Sequence, residues 1–288
     1  MEGWFKNINM RTLVATNKVP VSIVLGIRTK QPETIVIIIS SVRKPNTNYI
    51  YRVSKVDGYR EFNLNMPQSP NGAVVTIFNP KYGNLKANQD PSFRIEKFIT
   101  EDLQQCDIEL TNDDVNFIDF AQFISENAGV LSATIKGEPS IYRSKNGKFQ
   151  IDYFNQIFDR KTGEVLTTPA RIGHSTGIIE VSKKDFIKYT VPMRMIILLH
   201  EYSHKYKNPQ LNKPIGYETG ADINALSMYL ALGYSPAEAH YAFLHVFKDA
   251  NNEGNAKRYK IINDFIKKFT SGEIKGSCKL KTNIIGNN

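Results

Sequence analysis

Between Val19 and Asn79 the apolar side chains come in short runs separated by Pro, Asn and Gly. Val21–Ile27, Thr34–Ile39 and Tyr49–Val53 are β-branched or aromatic, Arg60–Met66 alternates polar with apolar residues, and Ala73–Phe78 follows a Pro-Asn-Gly turn. Such residues fit a pleated, half-buried surface. Five or more short strands without a helix-length segment predict an all-β, sandwich-like domain over residues 1–88. The stretch 79–91, with Pro80, Gly83 and Pro91, reads as a linker.

Beyond it the period lengthens. Thr111-Asn-Asp-Asp opens a helix, with Val115, Ile118, Ala121 and Ile124 on one face and a stop at Gly129. Val130–Ile135 reads as a strand. Ile141–Ser144 and Phe149–Phe154 flank Asn146-Gly147, the two-residue signature of a hairpin turn. Asp159–Gly163 is a second turn, and Gly177–Val181 a further strand. A helix starts at Thr190 or Val191 with Pro192 in its first turn, and Met193, Ile196, Ile197 and Leu199 seat it in the core. Another spans Tyr217–Leu232. Ser235-Pro-Ala-Glu238 is a capping box for a helix to about Phe247, and Ala256–Phe269 turns Tyr259, Ile262, Phe265 and Ile266 inward. The class is therefore α+β, with a second domain over 89–270 and a polar tail over 271–288.

Composition changes this picture little. At 288 residues, 41% hydrophobic and 23% charged, the chain is ordinary for a globular protein. Its apolar runs are too short to span a bilayer. The N-terminus has no apolar signal core, so export by the general secretory route is not expected. Cys106 and Cys278 lack a Cys-x-x-Cys spacing and read as two plain thiols, neither a disulfide framework nor a thiolate metal site. The net charge of +9 is concentrated at the start, where residues 1–90 hold 12 Lys/Arg against 5 Asp/Glu. These charges are scattered singly, which favours a solvated basic surface over a nucleic-acid interface.

The chemistry is concentrated in His200-Glu-Tyr-Ser-His204. Two histidines four apart on a helix share one face, so both imidazoles reach one metal ion. Glu201 projects close by and can touch a metal-bound water. Glu218-Thr-Gly-Ala-Asp222 begins fourteen residues after His204, again with its two acids four apart. Between the motifs, 207–216 holds two prolines and a glycine, which turn the chain back.

Together these two motifs resemble the gluzincin class of zinc metallopeptidases. The resemblance implies a zincin-like domain in which His200, His204 and Glu218 bind Zn2+, Glu201 is the general base, and Asp222 orients an imidazole from behind. The longer metzincin pattern fails, because Lys207 and Gln210 stand where its glycine and third ligand belong. The substrate would be a polypeptide, added as a strand to the sheet edge formed by Gly177–Val181. His174, just ahead, could line the cleft or be a plain loop histidine. Tyr217, Tyr234, His240 and His245 are the candidate donors to an oxyanion, and spacing does not choose among them.

A second class of function stays open. The β-rich first domain could dock other proteins, and a structural or assembly protein could keep a peptidase fold for binding alone. An intact Glu201 speaks against a dead enzyme. The chain, rich in Asn, Lys and Ile, is also similar in general character to proteins of tailed-phage genomes. That likeness implies a virion neck, tail or capsid component, or a maturation or entry peptidase, located in the host cytoplasm or the virion.

Overall fold

The computed structural model describes residues 9–44, 47–81, 92–134, 138–207, 217–246, 253–274 and 277. The chain is mixed α+β and divides into two compact units, one reaching to Gln104 and the other beginning at Gln105.

The first unit contains β1 (Asn9–Ala15), β2 (Val21–Thr29), β3 (Glu33–Ser41), β4 (Asn48–Val56), β5 (Tyr59–Met66), β6 (Gly72–Phe78) and β7 (Phe93–Asp102). They form two antiparallel sheets, ordered β1-β6-β3-β4 and β5-β2-β7. Alternate residues Ile35, Ile37 and Ile39 of β3, and Ile23, Leu25 and Ile27 of β2, are fully shielded from solvent. The apolar runs are therefore core strands, as the pattern predicts. β7 lies beyond the stretch read as a linker. It buries only Phe93, so its sequence carries almost no strand signal, yet it pairs with β2 along its whole length. Backbone hydrogen bonding, which is blind to side chains, extends this unit past residue 88.

The second unit begins with α1 (Asn112–Asn127), capped as expected by Thr111, which in addition forms a reciprocal box with Asp114. There follow β8 (Ser140–Arg143), β9 (Gln150–Phe154), β10 (Ala170–Ile172), β11 (Ile179–Ser182) and α2 (Lys183–Phe186). The sheet order is β10-β11-β9-β8, antiparallel except for the parallel β11/β9 pair. Gly147 turns the β8/β9 hairpin at φ +71°. The helices α3 (Val191–Lys205), α4 (Tyr217–Ala231), α5 (Pro236–Val246) and α6 (Glu253–Thr270) complete the unit.

α3 is its centre. Every residue from Val191 to His200 is buried, not one face alone. Arg194, only 1% exposed, donates to the carbonyls of Ser125, Phe186 and Ile187 and so joins α3 to the ends of α1 and α2. On the other side Tyr202 stacks between Phe117 and Tyr206, and its hydroxyl donates to Asp114 at 2.8 Å.

Three expectations are corrected. Val130–Ile135 is not the expected strand over its described residues, 130–134: the Val130 and Leu131 amides close the end of α1 on the Asn127 carbonyl, and Thr134 makes an isolated bridge to Phe154, while Ile135 lies outside the described residues. Gly177–Val181 is not the sheet edge: β11 is paired on both sides, and the shorter β10 is the edge. Cys106 is not a plain thiol but disulfide-bonded. The chain's other cysteine is Cys278, which lies outside the described residues, as do 208–216 of the inter-motif turn and all of the tail after Ile274 except Ser277.

Candidate metal centre

His200 and His204 stand one turn apart on α3, with their Nε2 atoms 3.0 Å from each other. Glu218, in the first turn of α4, brings Oε2 to 3.6 Å from the first and 3.7 Å from the second. One ligand atom from each of the three lies within 4.8 Å of the other two, so the group could hold a metal ion. The two helices are held in register by buried polar links: Asn224 of α4 donates to Ser203 Oγ at 2.7 Å, and Ser203 donates to the Leu199 carbonyl.

The wall behind the triad is charged and dry. Asp222, with no exposed surface, places Oδ1 2.9 Å from His200 Nδ1. Arg258 of α6 pairs with both oxygens of Asp222, at 2.7 Å for Nη2 to Oδ1 and with Nε on Oδ2. It also lies 3.3 Å from Glu218 Oε2. Burial alone would raise the Asp222 pKa, but Arg258 and His200 outweigh it and hold the carboxyl below its usual range. Burial likewise pulls His200 down, while Asp222 more than compensates and raises it. With its Nδ1 proton turned to Asp222, His200 presents the Nε2 lone pair to the centre. His204 is pushed down to about 3 by burial and by the adjacent His200. It is a neutral imidazole at ordinary pH, ready to donate. Two imidazole nitrogens and a carboxylate fit a divalent ion.

Glu201 lies beside both the triad and the sheet edge, close enough to His200, Glu218 and His174 to feel their charges. Its carboxyl is raised above the ordinary value by burial, against the lowering effects of His200 and of a hydrogen bond from the Ile172 backbone of β10. A cavity of about 170 Å³ adjoins it, lined by Thr168, Pro169, Ala170, Ile196, Ile197, His200, Glu201, Ala242 and Phe243. Its walls thus come from the edge strand, α3 and α5, and are largely apolar.

The four candidate donors separate. Tyr217 is at the centre: its ring stacks on His204 at 4.7 Å and 21°, and its hydroxyl lies 2.6 Å from His174 Nδ1. His174 itself packs edge-on to His204 at 6.1 Å, so the loop histidine does line the site. Tyr234 is buried in the core, stacked on Tyr229, and is not there. His240 packs against Tyr259 of α6, where burial and Lys267 lower its pKa. His245 belongs to α5, with its side chain outside the described residues.

Arg258, Asn224, Ser203 and the α5 cavity wall had no signal in the sequence. Arg258 is one cation among many on an amphipathic helix, and only the fold shows which carboxylate it meets. No protein-family model matches the chain, and no curated protein or solved structure matches it significantly.

Proposed function

We propose that the second unit is a zincin-like domain of gluzincin type and that the chain is a zinc-dependent endopeptidase. The observation that carries this reading is the convergence of His200, His204 and Glu218, with Asp222 behind His200 and Glu201 beside the edge strand. A metal site serving stability alone would have no use for an acid in the place of Glu201. A zinc ion held by the triad would act as a Lewis acid and make water acidic near neutral pH.

The chain's own residues then have distinct tasks. The edge of β10 that no described strand pairs with accepts an extended polypeptide as an added strand, which brings the peptide past Glu201. The neighbouring cavity takes an apolar side chain. Glu201 removes a proton from the attacking water and passes it to the leaving nitrogen as the C–N bond breaks. Asp222 and Arg258 keep the His200 ring oriented.

Elemental analysis and a peptide-cleavage assay on wild type and Glu201→Gln test this. One zinc per chain in both, with cleavage by wild type alone, is the expected result. Absence of zinc from a metal-supplemented wild type refutes it. A second reading, an assembly protein that keeps the fold for binding, draws on the first unit, where Leu13, Tyr51 and Val53 of β1 and β4 expose 72%, 46% and 53% of their surface. Zinc without cleavage of any peptide would favour it.

A further inference from the structure

The buried wall of the site accounts for the metal ligands but not for what stands in front of them. There the loop between β10 and β11 closes on itself: Gly177 N donates to Gly173 O at 2.7 Å, and Gly173 N to Ile178 O at 2.9 Å. The loop is fastened to the end of α3 by Lys205, whose ammonium donates to Ser175 O at 3.0 Å. Gly177 has φ +73°, and a Cβ there would stand 2.9 Å from both Lys205 Cδ and Tyr206 Oη. The positive φ favours glycine here, while the ends of the Lys205 and Tyr206 side chains could shift to admit a Cβ. This fastened loop carries His174 to Tyr217, the first residue of α4, whose ring lies on the ligand His204. Lys207 places its ammonium 5.3 Å from the centre of the same ring.

We infer that Tyr217 is the group that stabilises the anionic oxygen of the tetrahedral adduct, and that His174 is its positioning residue. The inference rests on the peptidase reading and assigns a donor that this reading leaves open. The chemistry follows from one choice of tautomer. With its proton on Nδ1, His174 donates to the phenolic oxygen of Tyr217, and the phenol hydrogen is left to point at the reacting carbonyl. The cation over the ring makes the phenol a better donor. Water adds its oxygen to the carbonyl carbon, Glu201 takes the proton, and the negative charge that collects on the former carbonyl oxygen meets the Tyr217 hydroxyl. The hydrogen bond strengthens only as that charge develops, so it lowers the barrier without tightening substrate binding. Tyr234, buried in the core, and His240, turned to α6, have no access to this role.

The test uses the zinc-loaded full chain and two readouts: steady-state peptide cleavage, and calorimetric affinity for a phosphonamidate peptide with leucine after the phosphorus–nitrogen bond. Tyr217→Phe keeps the stacked ring and removes the donor. It is expected to lower kcat roughly 100-fold and to weaken the phosphonamidate about as much, with KM within about two-fold and zinc content unchanged. His174→Ala should show the same pattern at about ten-fold, and His174→Asn, which keeps an N–H near the Nδ1 position, should recover most of it. A Tyr217→Phe chain that cleaves and binds the analogue like wild type overturns the assignment and leaves the peptidase reading standing. A rise in KM with unchanged kcat would make the pair a substrate-binding element and overturns it too. A wild type that neither holds zinc nor cleaves removes both.

Discussion

The two sides of the candidate metal centre are built on opposite principles. Behind the triad, Asp222 and Arg258 are withdrawn from water and tied to each other and to His200. In front, Tyr217 keeps 47% of its surface exposed, and its contacts are one hydrogen bond, ring stacking and a cation over the ring. A charge in a dry place is costly unless its partner is present, whereas an exposed donor gives up little when unpaired. The wall should therefore govern stability and metal retention, and the rim should govern rate. Substitutions on either side can break that division.

The largest effect is expected from Asp222→Ala. It removes the two-oxygen partner of the largely buried Arg258 and unties His200, and should cost about 3–5 kcal/mol in urea unfolding and weaken zinc roughly 10–100-fold. A loss below 1 kcal/mol would show that the wall does not carry the site. Next comes zinc itself. Because the triad is assembled only in the folded chain, metal at about 100 times its Kd should add roughly 2.7 kcal/mol to wild type, and nothing to His204→Ala, as followed by calorimetric melting. Asn224→Leu cuts the α3–α4 link through Ser203 and should cost about 1–3 kcal/mol, with a matching fall in zinc affinity because Glu218 rides on α4. Gly177→Ala forces an unfavourable φ into the rim and pushes the Lys205 and Tyr206 side-chain ends aside, for a loss of about 1 kcal/mol in unfolding. Its cleavage rate should fall further than that loss implies, since His174 moves with the loop. Smallest is His174→Ala, expected within about 0.5 kcal/mol of wild type in stability although its cleavage rate drops. If His174→Ala destabilises as much as Asp222→Ala, the contrast between wall and rim is wrong.

Much of the frame was legible before any coordinates. The Thr111 cap, Pro192 in the first turn of α3 and the Asn146-Gly147 hairpin depend on residues at most a few positions apart, and they formed where the pattern placed them. The failures share a cause as well. β7 is a strand because β2 offers it a ladder, not because its own side chains alternate. The edge position passed to β10, three residues long, because β9 took the inner side of β11. Val130 has a strand former's side chain, but its amide is used in closing α1.

The sequence by itself determined that His200 and His204 share a helix face, that Glu218 and Asp222 lie one turn apart on the next helix, and that the first of these helices is seated in a core. Those facts follow from the 3.6-residue period and from local turn and cap chemistry. The tertiary structure alone decided what meets them. It set Arg258 against Asp222 from thirty-six residues away, Ile172 against Glu201, and His174 against Tyr217. It also removed Tyr234 from contention by burying it in the core. A charged or aromatic side chain carries no record of its distant partner, because pairing across a fold depends on how whole helices and sheets pack, and packing answers to the summed burial of many residues rather than to the few that do chemistry.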